Sequence, residues 1–308
     1  MDAGPAGPED GIMAHSTVAR FVLLAVLWGS SAPLIKVALQ GLMPAPLTLA
    51  RLVLAAVVLM VIAGLRRVAP PRERVVWLHL TAVAFFGNVL PFLLLSYGER
   101  TAGAGVAGVL IGATPLLTLT VAYVALAAER ATARKVLGLI IGFAGIVLVV
   151  APWETGGSSL RGEVLCFGTA VSYAINFVYV RKFLSPRRLP ALALAAGQML
   201  AAVVLQGLFS PFLSWGTPHL TGRVTLAIVL LGVLSTGLGY VLNFRLVADI
   251  GATSASAVNY LAPVVAVGVS VLFLGEGLTW HVVVGGLVVL SGMAYAESRL
   301  RTPHRQLA

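Results

Sequence analysis

Charge is what this sequence has least of. Asp, Glu, Lys and Arg make up 10% of the 308 residues against 59% for the hydrophobic types, where a water-soluble domain carries about 25% charged residues. A soluble fold of this length would show too much apolar surface to water, which excludes a soluble enzyme or binding module. Carboxylates are scarcer still, eleven in all, and none falls in the middle of an apolar run: Glu99, Glu163, Asp249 and Glu297 lie near run ends. That disfavours a proton-coupled relay, which needs an ionisable group at depth, unless tilt draws Glu99 or His79 inward. The single cysteine, Cys166, sits inside an apolar run and excludes an internal disulfide or a thiolate metal cluster. The five histidines, at 15, 79, 219, 281 and 304, are scattered, so neither a metal nor a cofactor is expected.

What the sequence has instead is ten apolar runs, each near the roughly 20 residues a helix needs to cross the hydrocarbon layer. They fall at 19–38, 46–65, 75–97, 104–127, 133–151, 162–181, 191–210, 224–245, 254–274 and 279–297. The loops between them are too short to fold alone, so the expected fold class is an all-α membrane protein of about ten transmembrane helices. Residues 1–17 are polar and rich in Gly and Pro. They read as a disordered head, without the basic start and cleavage site of a secretory signal; residues 299–308 form a tail. The net charge of +10 does not point to nucleic acid, because the basic residues sit in short runs between spans. There they fix topology and meet anionic lipid headgroups. With both termini cytoplasmic, sixteen of the 21 Lys and Arg lie in cytoplasmic segments and three, Arg100, Arg161 and Arg223, in outer loops. That bias supports an even number of spans. The Arg-over-Lys and Ala/Gly-rich usage fits a bacterial inner membrane.

The order of the runs repeats itself. Trp28 and Lys36 in the first span are matched by Tyr173 and Arg181 in the sixth, and LAAVVLM (54–60) by LAAVVLQ (200–206). Pro115 is matched by Pro263, Glu129 by Glu276, and Gly138 and Gly145 by Gly285 and Gly292. The halves implied are 18–151 and 152–298. Five spans is an odd number, so the two copies lie upside down relative to one another, a construction that recurs in secondary transporters. The segments carrying the repeat are LWGSSAPLIK (27–36), the Pro44-to-Arg51 start of the second span, PLLT and AAER between 115 and 130, and NYLAPVVAVGVSVLFLGEGLT (259–279). Together they resemble the drug/metabolite transporter superfamily, in its EamA-type branch with ten helices, over residues 19–297. The resemblance implies cytoplasmic termini, a central substrate cavity, and export or exchange of small organic solutes. Gly277 stands where the family's second Glu motif carries a basic residue.

Polar side chains within spans are costly in lipid and mark either a cavity or a helix contact. The candidate substrate-binding residues are Trp28 and Ser31 in the first span, Asn88 and Tyr97 in the third, and Thr114 in the fourth. The sixth span adds Tyr173, Asn176 and Tyr179, the eighth Tyr240 and Asn243, and the ninth Asn259 and Tyr260. Tyr173, Asn176 and Tyr179 share one helix face by their spacing. Two phenols and an amide suit a solute held by stacking and a few hydrogen bonds; the same face would also serve helix-to-helix hydrogen bonding. Pro115 and Pro263 each remove a backbone hydrogen bond and free a carbonyl four residues upstream, at Ile111 and Asn259. They are candidate hinges in matching helices, with a plain kink as the alternative. Lys36 and Arg51 lie near the outer ends of their spans, where snorkelling to the interface is the stronger expectation. The other is attraction of a carboxylate or phosphate on the solute. Glu129 and Glu276 are expected to tie helix ends.

Other patterns carry no chemistry. Gly103, Gly105 and Gly108 have the spacing of a dinucleotide fingerprint but no βαβ unit around them. Gly108 with Gly112, and Gly138 with Gly142, read as close helix packing. Ser30 and Ser31 have no histidine at their depth to activate a nucleophile. The expected function is therefore an inner-membrane transporter, an exporter of amino acids or related amphiphilic metabolites working by alternating access, rather than an enzyme. A membrane-embedded enzyme and a non-transporting scaffold or receptor are the alternatives. The expected partners are a small-molecule solute and the lipid bilayer, with the chain acting as monomer or homodimer.

Overall fold

The computed structural model describes residues 8–98, 109–126, 132–151, 153, 159–265 and 280–297. Among them the chain runs through ten helical segments and forms no strand. These are α1 (Pro8–Gly29, resuming over Ser31–Ala38), α2 (Pro44–Leu65), α3 (Arg74–Gly98), α4 (Val109–Ala125), α5 (Ala133–Val150), α6 (Leu160–Arg187), α7 (Ala191–Phe212), α8 (Gly222–Ile250), α9 (Ala252–Ser256, then 258–265) and α10 (Trp280–Glu297). Seven of them, α1 to α3 and α5 to α8, are long and apolar enough to cross a membrane, and α4 and α10 are shorter apolar helices. Valines and leucines such as Val57, Val61 and Leu65 on α2 and Val204 and Leu208 on α7 stay exposed on the outside of the bundle, as a protein dissolved in lipid requires.

The boundaries follow local chemistry. Thr132, Ser159 and Thr221 cap α5, α6 and α8, each accepting a hydrogen bond from a backbone N–H three residues on, which satisfies one of the orphan donors of a helix start. Pro44 opens α2 behind an extended Met43, where its missing N–H costs nothing. Gly251, at φ 84°, ends α8 in a conformation that glycine adopts without steric cost. Helix α1 begins at Pro8, inside the 1–17 stretch. Proline in the first turn suits a helix start, where its missing N–H leaves no helical bond unmade.

The inversion of the two halves is visible where α5 meets α10. A Cβ built on Gly145 would lie 2.6 Å from the Val289 amide nitrogen, and one on Gly285 would lie 2.7 Å from that of Val149. The backbones therefore touch and only glycine fits. Gly138 abuts Ala296 while Gly285 abuts Val149, so the helices run antiparallel, as matching helices of inverted repeats must. The other contacts pair in the same way. Helices α2 and α7 pack together, as do α4 and α9; α3 on α6 is echoed by α8 on α1, and α4 on α6 by α9 on α1. Arg20 pairs with Asp249 at 2.7 Å, and Arg181 donates to the carbonyls of Val247 and Ala248. These contacts tie the ends of α1, α6 and α8 at one end of the bundle. At the other end the His219 amide donates to the Gly41 carbonyl at 2.8 Å, tying the loop after α1 to the loop before α8.

Candidate functional site

Halfway along, α3 and α8 both widen into π-helix, over Phe85–Val89 and Leu231–Leu238. Glycines within them, Gly87, Gly232 and Gly237, weaken the ordinary helical ladder. Such widenings free backbone carbonyls and are frequent at functional sites. Here side chains from the other half take them. Ser172 on α6 donates to the Phe86 carbonyl at 2.8 Å, and Tyr240 on α8 donates to the Gly87 carbonyl. In α8, Trp28 Nε1 from α1 donates to the Ser235 carbonyl at 3.2 Å, while Ser235 Oγ returns a bond to the Leu27 carbonyl at 2.9 Å. The seam between the halves is thus stitched at the two widened turns.

Amides and aromatic rings gather around these turns. Asn176 presses against Gly87, where an added Cβ would lie 2.7 Å from Asn176 Oδ1. Gln198 on α7 donates to Asn88 Oδ1 at 2.6 Å and to the Val83 carbonyl at 3.3 Å. Trp28 stands 6.0 Å from Tyr240 and 6.4 Å from Phe177, ring centre to ring centre. Among the described residues, three buried amide atoms in this seam have no partner, Asn88 Nδ2, Asn176 Oδ1 and Gln198 Oε1, and the same holds for Asn243 Oδ1 on α8. Unpaired polar groups in a low-dielectric interior are expensive, about 1–3 kcal/mol each, and a native fold keeps them for a reason.

Arg51 departs from the snorkelling expectation. It is 8% exposed, with Nε donating to Thr236 Oγ1 of the widened turn in α8 at 3.1 Å. Its guanidinium lies 3.9 Å from the centre of the Phe92 ring, a stacked cation–π contact. The phenols of Tyr173 and Tyr240 lie within its electrostatic reach. The side chain of Lys36 lies outside the described residues, as do Glu129, Glu276 and the Gly103–Gly108 motif.

Of the residues expected at a substrate site, the structure brings Trp28, Asn88, Tyr173, Asn176 and Tyr240 to the seam, and Asn243 is buried on α8. Others stand apart. Tyr179 bonds His79 Nδ1 at 2.9 Å and packs on Phe183, toward the end of α6 that carries Arg181 and Lys182. Tyr260 donates to the Leu139 carbonyl at 2.8 Å and fills the space over Gly142 between α9 and α5. Ser31 donates to the Trp28 carbonyl and Asn259 to that of Ser256. Tyr97 is half-buried at the far end of α3. Thr114 donates to the Ile111 carbonyl at 2.6 Å, the carbonyl that Pro115 was expected to free, and α4 has a turn at Ala113. In α9 the matching break comes at Ala257, six residues before Pro263, which itself lies in regular helix. The breaks nearest the seam belong to glycine-bearing π turns rather than to the two prolines. Gln198 was missed by the sequence reading, although a Gln in the Ala-, Leu- and Val-rich α7 was itself a signal.

An open hollow at the seam is not formed by the described residues: Asn88, Asn176, Gln198 and Asn243 are all at or below 3% exposure. A cavity of about 20 Å³ lies between α2, α3 and α7, with Met60, Trp77 and Leu200 among its lining. It is room for a water, against the roughly 300 Å³ or more of a ligand pocket.

Comparison with known proteins places this architecture. The model of the EamA-like transporter family matches residues 16–151 and again 160–296. Among curated proteins the chain is 26% identical over 289 residues to "Uncharacterized transporter YvbV" of Bacillus subtilis, covering 92% of each. It is 29% identical over 281 residues to a "Probable terminal-alkyne amino-acid exporter" of Streptantibioticus cattleyicolor, covering 90% of this chain and 92% of that one. A solved crystal structure matches with a TM-score of 0.78 at 22% identity, over 94% of this chain and 99% of the other, which shows the fold.

Proposed function

The chain belongs to the EamA-like transporter family, and from that premise we propose that it exports small organic solutes, amino acids or related amphiphiles, by alternating access. The solute binds at the seam and the two inverted halves rock about it. The chain sits in a bacterial inner membrane with both termini cytoplasmic, as the distribution of its basic residues favours. The observation that carries this reading is the set of unpartnered amide atoms on Asn88, Asn176, Gln198 and Asn243. Three are oxygen acceptors and one is an N–H donor, and those of Asn88, Asn176 and Gln198 gather at the widened turn of α3. Atoms of this kind are costly in a sealed interior and useful when a solute supplies the missing donors and acceptors. The relative named as an amino-acid exporter supports the same class of cargo.

The π turns supply the moving parts. Their carbonyls are held by single side-chain hydrogen bonds from the opposite half, each worth about 1 kcal/mol net. Parting the halves at these turns breaks single hydrogen bonds, and the closed arrangement is one stage of the cycle. The test begins with a metabolite-wide comparison of export between cells overproducing the protein and cells lacking it. The solute so found is then followed in proteoliposomes with Asn176→Ala. Loss of one solute hydrogen bond lowers flux by about tenfold while membrane insertion is kept. Undiminished flux in both Asn176→Ala and Tyr173→Ala would remove the seam from the transport path.

A further inference from the structure

Arg51 raises a question that transport in general does not answer, namely what meets its charge. A cation removed from water persists only with a counter-charge or a full set of acceptors, and a charge within a membrane span marks a functional site by default. A guanidinium has five N–H donors, and among the described residues Arg51 spends one of them, from Nε to Thr236 Oγ1. Phe92 covers one face of the guanidinium. The phenols near it, on Tyr173 and Tyr240, are neutral. The carboxylates whose side chains are described stand at helix ends: Glu73 just before α3, Glu163 in the first turn of α6, and Asp249 paired with Arg20. With Nε engaged, the two terminal nitrogens form the edge that receives an oxyanion in a two-pronged pair.

We propose that Arg51 is the carboxylate anchor of the solute site, so that the cargo is a carboxylic acid with an apolar or aromatic body. This rests on the seam being the transport site. Tyr240 lies in reach of the Arg51 charge and 6.0 Å from Trp28, which stands 6.4 Å from Phe177. These rings form an aromatic cluster beside the anchor. A body lying against them buries apolar area, and the Tyr240 hydroxyl, which donates to the Gly87 carbonyl, leads on to Asn176. Unpartnered oxygens stand there on Asn176 and, beside Asn88, on Gln198, suited to an ammonium or another N–H donor. The carboxylate sets affinity, and the amide end receives the opposite tip of the solute.

The test uses the purified full-length protein in nanodiscs and follows thermal unfolding with probes that share a skeleton. These are phenylalanine, 3-phenylpropionate, phenylalaninamide and phenethylamine, and leucine, 4-methylpentanoate and leucinamide, with sodium chloride and inorganic phosphate as separate arms. Acids raise the unfolding midpoint of the wild type, and the matched amides and amines do not. Arg51→Met weakens the acid response by about thirtyfold or more in concentration. Should Arg51→Met fail to fold, Arg51→Lys and Thr236→Val keep a cation in place. Both then show a severalfold weaker response to acids with no gain for amides. The proposal is overturned by amides that match their acids, by no acid in the set acting, by an acid response undiminished in the Arg51 variants, or by chloride or phosphate alone giving the full shift. Flux separates the anchor from the seam. If Asn176→Ala loses transport and Arg51→Met keeps it, the seam stands and the anchor falls. If neither changes flux, the seam itself is wrong.

Discussion

The two ends of the seam occupy equivalent places in the two halves and carry different chemistry. The match of 54–60 to 200–206 sets Arg51 of α2 in register with Gly197 of α7, one residue before Gln198. Arg51 crosses to the widened turn of α8 and bonds Thr236; Gln198 crosses to the widened turn of α3 and bonds Asn88. One construction, a side chain from the second helix of one half bonded to the π turn of the other, holds a cation at one end and an amide pair at the other. The inverted repeat supplies the geometry, and divergence between the copies supplies polarity. A symmetric seam would accept a solute in either of two orientations, whereas the proposed seam would distinguish head from tail.

The amide end offers the largest expected effect. Gln198→Leu leaves Asn88 Oδ1 and the Val83 carbonyl without the donor they share, a loss of about 1–3 kcal/mol in stability. Flux falls by roughly tenfold with it. Adding Asn88→Leu removes most of the stranded polar atoms, and a matched apolar pair in an apolar setting costs little, so the double variant regains thermal stability. Its flux stays low, because the amides of Gln198 and Asn88 no longer meet the solute. Melting curves and proteoliposome flux on both variants separate the roles. A double variant that recovers transport together with stability would reduce this end of the seam to packing.

Tyr240 links the ends, and its hydroxyl can be removed while its ring stays. Tyr240→Phe strips the donor from the Gly87 carbonyl and preserves the contact with Trp28. The loss is one buried hydrogen bond, about 0.5–1.5 kcal/mol, and a roughly two- to tenfold fall in initial flux. Because the bond holds the halves together only when they are closed, a rise in flux instead would mean that opening limits the cycle and that the hydroxyl acts as a latch.

Much of this was legible in the sequence and some was not, for identifiable reasons. Ten apolar runs gave ten helical segments because bilayer thickness fixes helix length. The pairing of Gly138 and Gly145 with Gly285 and Gly292 ended as a backbone-to-backbone contact between α5 and α10, since only glycine permits that approach. The π turns left no mark, because widening a helix adds one residue to a turn without changing its composition. Arg51 was misjudged through depth. Eight residues into α2 it counts as close to the end, but the Gly41–His219 loop contact builds protein beyond that end, and the guanidinium finds Thr236 and Phe92 instead of headgroups. Tyr260 misled for the opposite reason: a phenol in a span looks like a ligand until its partner on another helix is known.

Tyr260 supplies the smallest expected effect and the control for the others. Its ring is fully buried over Gly142 and its hydroxyl is used by the Leu139 carbonyl, both on α5 and away from either end of the seam. Tyr260→Phe keeps the ring and drops one hydrogen bond, so stability falls by about 0.5–1.5 kcal/mol. Flux through proteoliposomes stays within about twofold of wild type, since a change of that size in folding free energy leaves nearly all of a stable protein folded. Paired with Tyr240→Phe, the comparison holds the chemistry constant, one phenol hydroxyl on one backbone carbonyl, and varies only position. If both variants lose flux equally, the solute path reaches the α5–α9 contact and the seam between α3 and α8 is only part of it. If only Tyr240→Phe does, transport is confined to the surface where the two halves face each other.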